Sequence, residues 1–306
     1  MTGCPFCAAV DWGTSTFRLW IFDADGMVVA ERRSADGLQS MGGREGFPGV
    51  LESHLAEVSA PDSLPVVICG MAGSRQGWVE ARYIDTPAPL DRVIDSAVRV
   101  EGVARDVRIL PGVAQRDPSH PDVIRGEETQ LLGATVAGSR DGLFCMPGTH
   151  SKWVRLRAGT IEGFATFMTG ELFSLLGRQS ILAHAISDMA VNPTDSGFLA
   201  AVRAGMARPA DIANRIFEIR PAQLLGFAPA GAGAARLSGA LIGTELAGAK
   251  ARFGTLASVD LIASGTLSML YAQALEATGS AVHLIDADVA VRKGLFAAAR
   301  RFWDQT

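Results

Sequence analysis

The chain has 306 residues, 48% of them hydrophobic and 20% charged, which is ordinary globular composition with length enough for more than one packed core. Its longest apolar runs break at Gly, Arg or Asp well short of the roughly 18 residues a membrane span needs, and the run from Cys7 to Val10 is too short for a signal peptide, so a soluble, cytoplasmic protein is expected. A net charge of −4 with scattered basic residues lacks the electrostatic footprint of a nucleic-acid binder.

In chain order, an apolar strand from Ala8 reaches a turn at Asp11-Trp-Gly-Thr14. The chain resumes as Phe17–Phe22, turns again at Asp23–Gly26 and runs on through Met27–Ala30, which predicts a β-meander. Glu45–Val58 has helical spacing, Pro65–Cys69 reads as a strand, and Leu90–Val100 contains a predicted helix, so the first half is α/β. A helix is predicted from near Glu127 to Ala137. Leu143–Met146, a Pro147-Gly-Thr149 turn and Ser151–Leu156 then repeat the strand-turn-strand pattern of the N-terminus. The spacing next predicts helices over Gly170–Leu182, Gly197–Ala207, Ala210–Phe217 and Gly239–Ala251, with Phe227–Ala235 as a loop. Two strands follow, Val259–Ala263 and Ala281–Ile285, alternating with helices over Thr266–Thr278 and Ala287–Arg301. Cys4 and Cys7 form a lone C-x-x-C without further metal ligands, and Cys69 and Cys145 lie in apolar strands, so the cysteines read as structural.

Three glycine-centred turns carry the chemical signal: Asp11-Trp-Gly-Thr-Ser15, Pro147-Gly-Thr-His150 and Ser264-Gly-Thr-Leu267. Glycine lets the backbone approach a phosphate closely, adjoining N–H and hydroxyl groups donate to its oxygens, and a carboxylate beside such a turn can hold Mg2+ through its waters. Asp11 sits between a strand and a glycine, where it is a poor strand former and a natural ligand of that kind.

Taken together and in this order, the turns resemble the two phosphate loops and adenosine motif of the actin/hexokinase/sugar-kinase superfamily. Gly126–Gly133 is similar to the segment that carries the catalytic aspartate in the glycerol/xylulose kinase branch. A resemblance to the 2-dehydro-3-deoxygalactonokinases spans nearly the whole chain. It rests on Asp11-Trp-Gly, Gly70-Met-Ala-Gly-Ser74 with Gly77-Trp78, Arg125-Gly-Glu-Glu-Thr-Gln130, Met146-Pro-Gly-Thr-His150 with Lys152-Trp153, and Met168-Thr-Gly-Glu-Leu172.

The resemblance implies a two-domain ribonuclease-H-like (actin-like ATPase) α/β fold with a cleft between the domains: residues 1–125, an interdomain helix at 126–138, and residues 139–306. It implies ATP-dependent phosphorylation of 2-dehydro-3-deoxy-D-galactonate on its terminal (6-) hydroxyl in galactonate catabolism, with ATP and Mg2+ as cofactors. Asp11 would position Mg2+, and Gly13, Thr14 and Ser15 would line the phosphates with Gly148 and Thr149. Gly265 and Thr266 would hold the adenosine. Glu127 takes the place of the catalytic aspartate as general base, with Glu128 as its rival. The substrate carboxylate needs a cation, and Arg18, Arg75, Arg125 and Lys152 are candidates, with Ser74 and His150 as further substrate contacts. Trp12, Trp78 and Trp153 either frame the pocket or belong to the core.

The rivals are a same-fold kinase for another sugar acid or polyol, a sugar-sensing regulator and an actin-like filament protein. With ten residues before Asp11, no DNA-binding module is expected there, and Glu127 argues against the filament. Homo-oligomerisation is open.

Overall fold

The computed structural model describes residues 4–304 apart from 137, 139 and 230. The strands and helices of the first half are β1 (Pro5–Trp12), β2 (Phe17–Asp23), β3 (Val28–Ser34), α1 (Gly46–Glu57), β4 (Val66–Gly70), β5 (Ile84–Asp85), β6 (Ala88–Pro89), α2 (Leu90–Asp95), β7 (Val98–Arg99), β8 (Val107–Ile109), β9 (Val113–Gln115), β10 (Asp122–Ile124) and α3 (Glu127–Val136). The second half holds β11 (Gly142–Met146), β12 (Ser151–Arg157), β13 (Thr160–Phe167), α4 (Thr169–Gln179), α5 (Ser196–Ala207), α6 (Ile212–Leu224), α7 (Ala232–Phe253), β14 (Ser258–Ile262), α8 (Gly265–Ala277), β15 (Ala281–Ile285) and α9 (Ala287–Trp303).

The chain divides into two compact units, one of Met1–Arg140, Arg157–Gly163 and Ala287–Thr306, the other of Asp141–Leu156 and Phe164–Asp286. These boundaries differ from a split at 125 and 139. Helix α3 belongs to the first unit because it packs on α9, which returns from the chain's far end. The packing is backbone on backbone: a Cβ at Gly133 would overlap the Ala290 carbonyl, and one at Gly294 would overlap the Thr129 carbonyl.

In the first unit the sheet order is β3-β2-β1-β4-β8-β7, with β1 antiparallel to β2 and parallel to β4. β1 and β4 are buried through most of their length, as central strands covered on both faces are. Beneath them lies a core of Trp12, Phe17, Leu19, Phe47, Leu51 and Ile68. In the second unit β12, β11, β14 and β15 follow the same plan, β11 being antiparallel to β12 and parallel to β14. The N-terminal echo seen in the sequence is thus a repeat of topology.

The long α7 packs on α5 through Gly239 and Gly243, whose side-chain positions are filled by the Phe198 and Val202 carbonyls. The structure adds to or departs from the sequence reading at several points. The helix expected within Leu90–Val100 is α2, followed by strand β7, and β13 forms where no strand was predicted. α6 runs past Phe217 to Leu224 with Pro221 inside it, and α7 begins at Ala232, within the stretch read as a loop. In α7, burial rather than amphipathic spacing stabilises the helix, so a Gly/Ala-rich start gave no periodic signal.

The α3–α9 contact tolerates no side chain. Gly133→Ala and Gly294→Ala are each expected to cost about 1–3 kcal/mol of stability, as overpacked cores do. Since a Cβ at Gly133 would also meet the Gly294 backbone, the double variant should cost less than the sum of the two. Urea unfolding of the four proteins checks both statements.

Candidate active site

On the first unit, the β1–β2 turn closes through the Gly13 N–H donating to the Thr16 carbonyl at 2.8 Å. The Leu38 and Gln39 N–H groups donate to the carbonyls of Gly13 and Thr14, and Gly37 lies against the backbone of Ser15, where a Cβ would not fit. With those carbonyls engaged from behind, Thr14 and Ser15 stay exposed. The bracing loop 37–39 was missed in the sequence; its only signal was Asp36-Gly37.

Asp11, 9% exposed, faces Arg18 across the β1–β2 ladder and Cys69 across β1–β4. Burial raises its carboxyl pKa, the Arg18 guanidinium opposes that rise, and the charge of Glu127 adds to it. Arg18 donates from one nitrogen to Asp11 and from another to Asp288 at the start of α9. Arg33 holds the other oxygen of Asp288 at 2.8 Å. Asp288 lies below the usual carboxylate range because these guanidiniums outweigh its burial. Arg18, anticipated as a partner for the substrate carboxylate, is therefore committed to two carboxylates of the protein itself.

The two glutamates at the start of α3 part company. The Glu127 carboxylate accepts from the Arg125 N–H at 2.9 Å and is half-buried. Glu128 has no exposed surface; it accepts from the Gly126 N–H at 2.7 Å and the Thr129 hydroxyl at 3.0 Å. Burial, with the neighbouring charge of Glu127, pushes the Glu128 carboxyl up to about 7. One helix turn thus presents one carboxylate outward and buries the other, as the 100° step between consecutive residues requires.

Arg125 lies against the turn that follows β4, which carries Gly73 and Ser74. The Arg125 guanidinium donates to the Ala81 carbonyl at 2.9 Å and lies 4.4 Å from the centre of the Tyr83 ring. Its Nε and Nη1, like the Ser74 hydroxyl, are buried without a hydrogen-bond partner, and Nη1 fills the space where Gly73 would carry a side chain. Arg75 is exposed, its carbonyl accepting from Arg44. Trp12 and Trp78 are core residues around Phe47.

On the second unit, Gly148 and Thr149 form the β11–β12 turn. The Glu171 N–H donates to the Thr149 carbonyl at 2.9 Å, and Gly170 lies against Gly148 so closely that a Cβ would overlap its carbonyl. His150 is exposed and 2.5 Å from the Glu171 carboxylate, and Lys152 stands in β12 opposite Met146. Gly265, at φ +63°, starts α8, a left-handed conformation that favours glycine. Gly148 and Thr266 both line a cavity of about 400 Å3 with apolar walls that include Phe173, Leu241, Ile242 and Leu270. Such a volume and lining suit a flat heteroaromatic ring. Thr169 and Gly170 also line it; the Met168–Leu172 motif in the sequence pointed to them without assigning a role. Trp153 is core, its indole N–H bonded to buried Glu245.

A family model described as 2-keto-3-deoxy-galactonokinase matches residues 11–298. The chain belongs to this family. It is 53% identical over 305 residues to a probable 2-dehydro-3-deoxygalactonokinase of Rhizobium meliloti strain 1021, covering 99% of both chains. It is 33% identical over 287 residues to the 2-dehydro-3-deoxygalactonokinase of Escherichia coli K12, covering 94% of this chain and 95% of the other. Among solved structures, a Sinorhizobium meliloti protein provisionally assigned the same activity matches with TM-score 0.94 and 53% identity over 98% of this chain and 100% of that one. A Clostridium difficile dehydratase activator with bound ADPNP shares only the fold, with TM-score 0.50 and 10% identity over 97% of this chain and 95% of that one. The architecture is the actin-like α/β fold, and no helix among the described residues is long and apolar enough to cross a membrane.

Glu128 gives a pH signature. Its folded pKa of about 7 lies above the ordinary 4.5, so its contribution to stability is full below pH 4.5, declines between 4.5 and 7 and is lost above 7. Glu128→Gln, which keeps an acceptor for Gly126, should therefore gain about 1–3 kcal/mol on the wild type between pH 5 and pH 8. Urea unfolding of both proteins at the two pH values measures the gain.

Proposed function

We propose that this chain transfers the terminal phosphoryl group of ATP to the terminal (6-) hydroxyl of 2-dehydro-3-deoxy-D-galactonate, in galactonate breakdown. The observation that carries the reading is the carboxylate cluster beside the first glycine turn, Asp11 buried and Glu127 half-exposed, in a chain of this kinase family.

The residues suit ATP and Mg2+. Asp11 lies close enough to Glu127 to feel its charge, and Mg2+ takes one or two carboxylates together with phosphate oxygens and waters. Among the described residues no set of three or more His, Cys, Asp or Glu gathers into a full protein cage, which is the pattern of a metal held largely by its nucleotide. Asp11 would hold Mg2+, which when bound neutralises charge on the phosphates. Gly13, Thr14, Ser15, Gly148 and Thr149 would donate to the phosphates, and the apolar cavity beside Thr266 would take the adenine, with Gly265 shaping its entrance turn.

Glu127 is the group we assign to accept the hydroxyl proton. It is the glutamate with exposed surface, and phosphoryl transfer through a loose transition state asks for positioning more than for basicity. Buried Glu128 stays behind it. Arg125, whose Nε and Nη1 are buried without a hydrogen-bond partner, is the favoured source of positive potential for the acid's carboxylate, with the Ser74 hydroxyl as a further donor and Arg75 at the same turn. Arg18 instead balances Asp11. His150 and Lys152 remain candidates for phosphate or substrate contact.

A coupled ATP-consumption assay with 2-dehydro-3-deoxy-D-galactonate and its gluconate-derived epimer tests the substrate. Turnover of the former is expected, and turnover of another sugar acid without it would overturn the reading. Glu127→Gln should lower kcat by about 100- to 10,000-fold, the usual loss of a general base. Glu128→Gln should cost far less, and the reverse ranking would move the base by one residue.

A further inference from the structure

Helix α7 is buried for most of its 22 residues, and its buried side chains are small or apolar except for one carboxylate, Glu245, 2% exposed. A buried carboxylate costs several kcal/mol unless its lone pairs are met. Here four donors meet it. Oε1 accepts from the Ser151 hydroxyl at 2.6 Å and the Trp153 indole N–H at 2.8 Å; Oε2 accepts from the Tyr271 hydroxyl at 2.7 Å and from the Thr169 hydroxyl. Burial raises the Glu245 pKa, and all four of these bonds act in the opposite direction.

The donors come from three separate elements, and each element carries part of the proposed nucleotide site. Ser151 opens β12 directly after the Gly148-Thr149 turn. Thr169 opens α4, whose next residue, Gly170, lies against Gly148 and whose Glu171 N–H holds the Thr149 carbonyl. Tyr271 is on α8, the helix that begins at Gly265. Thr169 and Tyr271 also line the 400 Å3 cavity, whereas Ser151 does not. An apolar side chain at 245 would fill the volume but would leave the three elements to find their spacing by packing alone.

We propose that Glu245 is a positioning residue for nucleotide binding, its carboxylate fixing the second phosphate turn and the adenosine turn at the separation that ATP requires. The proposal rests on the reading of the cavity as the adenine site. It acts through Thr149 and Thr266 and needs no contact between Glu245 and ATP.

Ser151→Ala removes one donor from the network at a position off the cavity wall, and Glu245→Gln puts an amide N–H against groups that donate. The Michaelis constant for ATP should rise about 3- to 10-fold in Ser151→Ala, a loss of the size one hydrogen bond carries. It should rise at least about 10-fold in Glu245→Gln, with the constant for the sugar acid and kcat at saturation changed less than about 3-fold in both variants. The dissociation constant for ADP should move with the ATP constant. Folded variants that melt at lower temperature but keep the wild-type ATP and ADP constants would overturn the proposal, and if Glu245→Gln does not fold, Ser151→Ala decides it. Leu267→Glu separates the two levels by placing a charge on the exposed part of the cavity wall. If it leaves ATP and ADP binding unchanged, the adenine-site reading fails and the proposal with it. If it weakens both while Ser151→Ala and Glu245→Gln do not, the positioning role alone fails.

Discussion

The constraint on which the first unit turns is the cost of gathering negative charge out of water. Asp11 and Glu128 are buried, Glu127 is half-buried beside them, and burial, with the charge of Glu127 added, raises the pKa values of Asp11 and Glu128. One cation, Arg18, balances Asp11, and it is itself anchored by Asp288 on the chain's last helix. A fold does not assemble such a cluster for stability, since apolar side chains would fill the same space at less cost. A concentration of carboxylates with perturbed pKa values marks a candidate functional site.

That clasp explains why α9 belongs with the N-terminal strands. Glycines let α3 and α9 pack backbone against backbone, which places the glutamates at the start of α3 and Asp288 at the start of α9 in one unit. Both helix starts suit carboxylates electrostatically. The first two acids of α3 are therefore set by helix position, and the 100° step alone sorts them into a buried and an accessible one.

The second unit solves a different problem with similar means. Its Gly148 turn is packed against the backbone of Gly170, and the buried Glu245 carboxylate ties β12, α4 and α8 together through four donors. A satisfied polar network specifies one arrangement where apolar packing tolerates several. The price is a buried charge in a helix otherwise free of them.

The sequence by itself determined the fold class and the three glycine turns, because strand-turn-strand patterns and the residues flanking Gly13, Gly148 and Gly265 are local signals. It also determined the family, through motifs scattered from Asp11 to Leu172. It could not determine partners. Arg18 and Arg125 looked alike as surplus cations, yet register across β1–β2 commits the first to Asp11, while the turn after β4 buries the second under Gly73. Position in the motif favoured Glu127 over its neighbour Glu128, but only the packing of α3 shows that Glu128 is left without exposed surface. The unit boundary, the helical start of α7, strand β13 and the donors around Glu245 were equally hidden. Each depends on contacts between segments far apart in the chain, and long-range burial and hydrogen bonding leave no periodic mark on the segments that take part.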